Sequence, residues 1–136
     1  MRAYLALAVL AGSFLGLTAG VSARPLTANC TSEGQLCDAT IPLSFTVDDP
    51  RAEYGISLKA PASHCSEVRY IVFDPSQTRM GATQFLRAGE SSYVSLGRNL
   101  ARGQQRVFIG AEGKVGGCNR GRLASWGGEA YGGIIP

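Results

Sequence analysis

The chain has 136 residues, among them 18 glycines, 4 cysteines and one histidine, and a formal net charge of +3. A chain of this length, less an N-terminal signal, suits one domain with one modest core. One imidazole, His64, excludes metal centres built on several histidines, and no apolar run beyond residue 23 is long enough to span a bilayer as a helix.

Residues 1–23 read as a cleaved signal peptide. Arg2 supplies the positive start, residues 4–17 an apolar stretch, and Val21-Ser22-Ala23 the small residues of a cleavage site. Export places the four cysteines, Cys30, Cys37, Cys65 and Cys118, in an oxidising compartment, where an even count predicts two disulfides. The favoured pairing is Cys30 with Cys37, closing a short loop, and Cys65 with Cys118, closing a long one. By loop-closure entropy these contribute about 2–3 and about 4 kcal/mol. A zinc site is the rival reading, but the chain has no C-x-x-C, and His64 sits directly beside Cys65.

Residues 24–40 are polar and small, without a period of two or of 3.6, and predict an extended lead-in held by the short disulfide loop. Residues 41–47 (IPLSFTV) then alternate, with Ile41, Leu43, Phe45 and Val47 on one face, and Pro42 marks a sheet edge. Residues 54–59 repeat the pattern with Tyr54, Ile56 and Leu58, which predicts a hairpin with 41–47 around the acidic loop 48–53. Residues 67–73 carry apolar side chains on both faces, the signature of a buried, central strand. Asp74-Pro75-Ser76 is a turn. Residues 83–87 and 91–96 flank a glycine-bearing connection and predict a second hairpin. Residues 105–110 are the next strand, and residues 122–126 the last, forming a C-terminal hairpin. The glycine-rich residues 127–136 predict a frayed tail.

About seven short strands with glycine and proline turns, and no sustained helical period, predict an all-β fold: a small antiparallel β-sandwich, jelly-roll or Ig-like. The expected organisation is signal peptide 1–23, lead-in 24–40, sandwich 41–126 and tail 127–136.

The charge is uneven. Residues 24–78 hold four basic and seven acidic side chains, residues 79–136 eight basic and three acidic. The two halves are expected to neutralise each other across the fold, and the arginines are spaced rather than clustered, so no nucleic-acid partner is expected. The chain has no nucleophile elbow, zincin helix motif, phosphate-binding loop or dinucleotide fingerprint. Glycines 110, 113, 116 and 117 are expected to serve hairpin turns. No catalytic residue, metal or cofactor is assigned; the acidic loop 48–53 lacks the alternating ligands of a calcium loop.

Binding is the expected function: an exported module that recognises a protein or a glycan through loops near the C-terminal hairpin. Arg120 and Arg122 offer bidentate donors to a carboxylate or phosphate. Trp126 either plugs the core or stacks on a ligand. The alternatives are an inhibitor of a secreted enzyme, its disulfide-braced loop plugging an active site, and a small hydrolase using His64.

Overall fold

A computed structural model describes residues 24–28, 36–62, 67–113 and 126–136; for residues 24, 27, 28, 36–40 and 126 the backbone alone is described. Among these residues there are eight strands and no helix. No helix there is long and apolar enough to cross a membrane. The strands are β1 (Arg24–Ala28), β2 (Leu36–Val47), β3 (Tyr54–Lys59), β4 (Val68–Phe73), β5 (Arg79–Ala82), β6 (Ser91–Gly97), β7 (Gly103–Gly113) and β8 (Trp126–Ile134). They form two four-stranded antiparallel sheets, ordered β1-β8-β3-β6 and β2-β7-β4-β5.

The pairings β1–β8, β2–β7, β3–β6 and β4–β5 run the length of the chain. They are the pairings of one long antiparallel ribbon, with its tip at β4–β5, rolled so that β8 also meets β3 and β7 also meets β4. Rolling sends consecutive strands to opposite sheets, except β4 and β5 at the tip, which pair with each other. The expected hairpin between residues 41–47 and 54–59 is therefore absent: β2 and β3 lie in different sheets. So do β7 and β8; of the expected last strand, residues 122–126, only Trp126 lies within the described residues, as the first residue of β8.

One core fills the space between the sheets. Leu43, Phe45, Val47, Val68, Tyr70, Val72, Val107, Ile109 and Ala111 face Leu26, Tyr54, Ile56, Leu58, Val94 and Ala130. The alternation expected for residues 41–47 and 54–59 is thus realised, and β2 is an edge strand, as Pro42 requires. β4 lies between β7 and β5 and is buried on both faces, with Ile71 and Phe73 enclosed on the side away from the shared core.

Three other expectations fail. Residues 83–87 form no strand. Thr83 Oγ1 accepts the Tyr70 N–H at 3.0 Å, and only Val68 and Leu86 pair there as a bridge. Residues 24–28 are a strand rather than lead-in, and β2 begins at Leu36. Residues 127–136 are no tail, because most of them form β8, an interior strand between β1 and β3.

β8 explains itself through size. Its inward positions are Gly128, Ala130 and Gly132, and bulky side chains of the other sheet fill the space. A methyl on Gly132 would stand 2.7 Å from Phe45 Cβ, and one on Gly128 would overlap Tyr70 Oη. Tyr70, fully buried, donates its hydroxyl to the Gly127 carbonyl at 2.8 Å and so ties one sheet to the other. Small residues opposite large ones let two backbones close on a packed core.

Candidate functional site: an aromatic row on a sheet face

The outward face of the β1-β8-β3-β6 sheet carries the most distinctive arrangement of exposed side chains. Strand alternation decides which residues reach it. Ile56, Leu58, Val94 and Ala130 point into the core, so their neighbours Ser57, Lys59, Tyr93, Glu129 and Tyr131 point out. Register then sets them in rows. Ser57 on β3 pairs with Tyr131 on β8 and with Tyr93 on β6, giving a row Tyr131–Ser57–Tyr93 straight across three strands. Two strand spacings place the tyrosine Cα atoms about 9–10 Å apart. Tyr93 is 50% exposed and Tyr131 42%.

The flanking rows keep this face low. On one side lies Glu129–Lys59–Ser91, and on the other Gly133–Gly55–Ser95. Nothing lies within 4 Å of a methyl built on Gly133, so that position is open space. Ile135 closes over Gly55, where an added methyl would meet its Cγ2 at 2.8 Å. Ser95 Oγ donates to Glu53 Oε1 at 2.6 Å, which anchors the carboxylate at the end of the face. The result is a shallow surface with two aromatic side chains, serine hydroxyls and one lysine beside one glutamate.

Few of the residues singled out from sequence are described. Cys30, Cys65, Cys118, His64, Arg120 and Arg122 lie outside the described residues. Cys37 is placed only by its backbone, opposite Ala111, and Trp126 opens β8 opposite Ala28. Gly110 and Gly113 belong to β7 rather than to turns, and Gly116 and Gly117 lie outside the described residues; among the described residues the glycines with positive φ are Gly89, Gly97, Gly103 and Gly128.

The acidic loop 48–53 is stitched into the fold. Tyr54 Oη accepts the Asp48 and Asp49 N–H groups at 3.0 and 3.1 Å. Arg102 donates to the Asp48 carbonyl at 2.9 Å, Arg98 to the Arg51 carbonyl at 2.8 Å, and Asn99 N–H to the Pro50 carbonyl at 2.7 Å. The Arg51 backbone N–H, bound to Asp49 Oδ1 at 3.0 Å, holds that carboxyl below its ordinary range, helped by the Arg51 charge. Among the described residues no three metal-ligating side chains come together.

Two further ion pairs join the oppositely charged halves of the chain. Arg69 Nε donates to Glu112 at 2.8 Å, and Arg87 lies 3.8 Å from Glu67. On the outer face of the other sheet, Pro42, Ser44, Gln104, Gln105 and Arg106 line a shallow groove of about 370 Å³, where Arg106 lies over the Phe108 ring at 5.2 Å.

Neither Tyr93 nor Tyr131 is marked by a sequence motif. Tyr93 lies in a strand predicted only from its flanking glycine-bearing connection, and the alternation about Val94 is the signal that turns it outward. Tyr131 was hidden between two glycine pairs.

No family model matches the chain, and no curated protein matches it. Among solved structures, a chain described as "Structure of infectious bursal disease virus Gx strain" aligns at 12% identity and a TM-score of 0.34. The alignment covers 83% of this chain and 32% of that one, so this chain spans about a third of that chain's length. A likeness so remote carries no assignment of fold or function.

Proposed function

We propose that this protein is an exported, non-catalytic binding module that takes a glycan on the outer face of the β1-β8-β3-β6 sheet. The observation that carries the reading is the row Tyr131–Ser57–Tyr93, two half-exposed aromatic rings in register on a low polar surface. A phenol ring offers a flat apolar face to the C–H face of a sugar, and its hydroxyl remains wet. Ser57, Ser91, Lys59 and Glu129 supply donors and acceptors for sugar hydroxyls, directly or through water. A face built on three paired strands is rigid before the ligand arrives, which lowers the ordering cost of binding.

Export rests on the signal peptide read over residues 1–23, and the two disulfides rest on the even cysteine count of an exported chain. Of the two wrappings expected, the jelly roll is the one the ribbon-like pairing supports; the Ig-like order pairs its strands differently. Arg120 and Arg122 remain candidates on sequence grounds alone.

The test is retention on a broad glycan array by the mature, oxidised protein and by Tyr93→Ala and Tyr131→Ala variants. Both variants should keep the parent's unfolding midpoint and lose retention by about tenfold each. Undiminished retention by the double variant removes the face from the binding site.

A further inference from the structure

We infer that the ligand is a neutral, extended, unbranched β-linked polysaccharide lying across the strands, with Tyr131 and Tyr93 stacked on its residues n and n+2; this rests on the glycan reading above.

Geometry supplies the direction. Both tyrosines are in register with the same residue, Ser57, so the line joining them runs perpendicular to the strands with no offset along them. Their separation is about two strand spacings, 9–10 Å. Two residues of an extended β-linked chain span about that distance. In such a chain each ring is flipped relative to its neighbour, so rings n and n+2 turn the same face to the protein. The ring between them falls over Ser57, whose short side chain leaves room and offers a hydroxyl. A compact or helical glycan brings its rings out of this repeat, and a single terminal sugar reaches one tyrosine only. Past Tyr93 the row meets the sheet edge at β6, and the described sheet has no strand beyond it to stop a longer chain.

Charge supplies the neutrality. The one lysine on the face, Lys59, is in register with Glu129 on β8, and Glu53 stands at the Ser95 end. Among the arginines whose side chains are described, four are placed away from this face. Arg98 and Arg102 donate to carbonyls of the 48–53 loop, Arg69 pairs with Glu112, and Arg106 lies on the other sheet. Among the side chains described on this face, an acidic glycan would meet at least as many carboxylates as cations. A neutral one loses nothing to repulsion.

The experiment is calorimetric titration of the mature, oxidised protein with β-1,4-linked gluco-, xylo-, manno- and N-acetylglucosamine oligosaccharides of two to six units. In parallel, the same protein is run on an array of branched, α-linked and acidic glycans. At least one neutral series should gain about tenfold in affinity between two units and three, as the second ring engages, and gain little more thereafter. Tyr93→Ala and Tyr131→Ala should each abolish that step, so that three units bind no better than two, while Tyr→Phe at either position restores it. Raising salt from about 0.05 to about 0.5 M should leave the affinity within about twofold.

Equal affinity for two and six units overturns the extended-chain inference and leaves glycan binding standing. So does retention confined to branched, α-linked or terminal sugars. A steep loss of affinity with salt overturns neutrality. If no saccharide of either set is retained, the glycan reading itself fails.

Discussion

Tyr70→Phe removes one oxygen from the centre of the molecule, and the consequence follows from where that oxygen sits. Its ring is fully buried on β4, and its hydroxyl donates across the sandwich to the Gly127 carbonyl on β8 at 2.8 Å. Phenylalanine keeps the apolar contact and leaves that carbonyl without this donor. The cost is about 1 kcal/mol, that of an average hydrogen bond, because the bond is only partly buried and the freed carbonyl keeps some access to solvent.

Gly128→Ala attacks the same joint from the other sheet. The new methyl would overlap Tyr70 Oη and stand 2.7 Å from the Lys59 carbonyl oxygen, on a backbone with φ of +143°. Overpacking and strain together should cost roughly 2–5 kcal/mol. In the double variant the hydroxyl contact is gone while the Lys59 contact and the strained φ persist. The two costs should therefore fall short of their sum by about 1 kcal/mol. Urea unfolding measures this, as a drop in midpoint at constant m-value.

The same pair predicts a pH effect. Burial pushes the Tyr70 phenol well above its ordinary value of 10.0. The folded state thus holds the proton more tightly than the unfolded chain. The stabilisation is complete below about pH 10 and is lost as pH rises above it. Tyr70→Phe should lose this part of the alkaline decline, so parent and variant converge in stability above about pH 10. A Tyr70→Phe protein as stable as the parent at pH 7, or strictly additive costs in the double variant, would refute the account of the joint.

The remaining predictions concern the loop and the cysteines. Tyr54→Phe withdraws the oxygen that accepts the Asp48 and Asp49 N–H groups, and amide exchange at those two residues should accelerate while β3 itself stays protected. Asp49 should titrate below the ordinary carboxylate range by NMR and largely keep that depression in Arg51→Ala, because the leading cause is the Arg51 backbone N–H. A full return to the ordinary range would assign the shift to the guanidinium instead. Peptide mapping of the non-reduced protein should link Cys30 to Cys37 and Cys65 to Cys118, and any other linkage removes the proposed staples.

What was legible in the sequence was whatever alternation encodes. Leu43, Phe45 and Val47, and likewise Tyr54, Ile56 and Leu58, announce both their strand and its buried face, and residues 68–73 announce a strand covered on both sides. Pairing was not legible. Short connections suggested hairpins between neighbours in the chain, whereas the rolled ribbon pairs β2 with β7 and β3 with β6 across long sequence separations. No local pattern distinguishes the two, since the same alternating strand satisfies either partner.

β8 was misread for a different reason. Its inward residues are glycine and alanine because Tyr70 and Phe45 occupy the space, so the strand's hydrophobicity is carried by the sheet opposite. With β8 taken for a tail, Tyr131 had no face and the row with Tyr93 was invisible. The site emerges only when register brings residues 57, 93 and 131 together. Arg120, Arg122 and Trp126 were chosen for their chemistry, and chemistry alone gave no position.

The most direct measurement is an amide-resolved NMR titration of the mature protein with the neutral β-linked hexasaccharide that it binds in the length series. The account predicts perturbations concentrated at Tyr93, Ser57 and Tyr131 and at Lys59 and Gly133 in the flanking rows, with residues 48–52 and the 42–44 and 104–106 groove unmoved. Perturbations centred on that loop or that groove, with the tyrosine row silent, would contradict it.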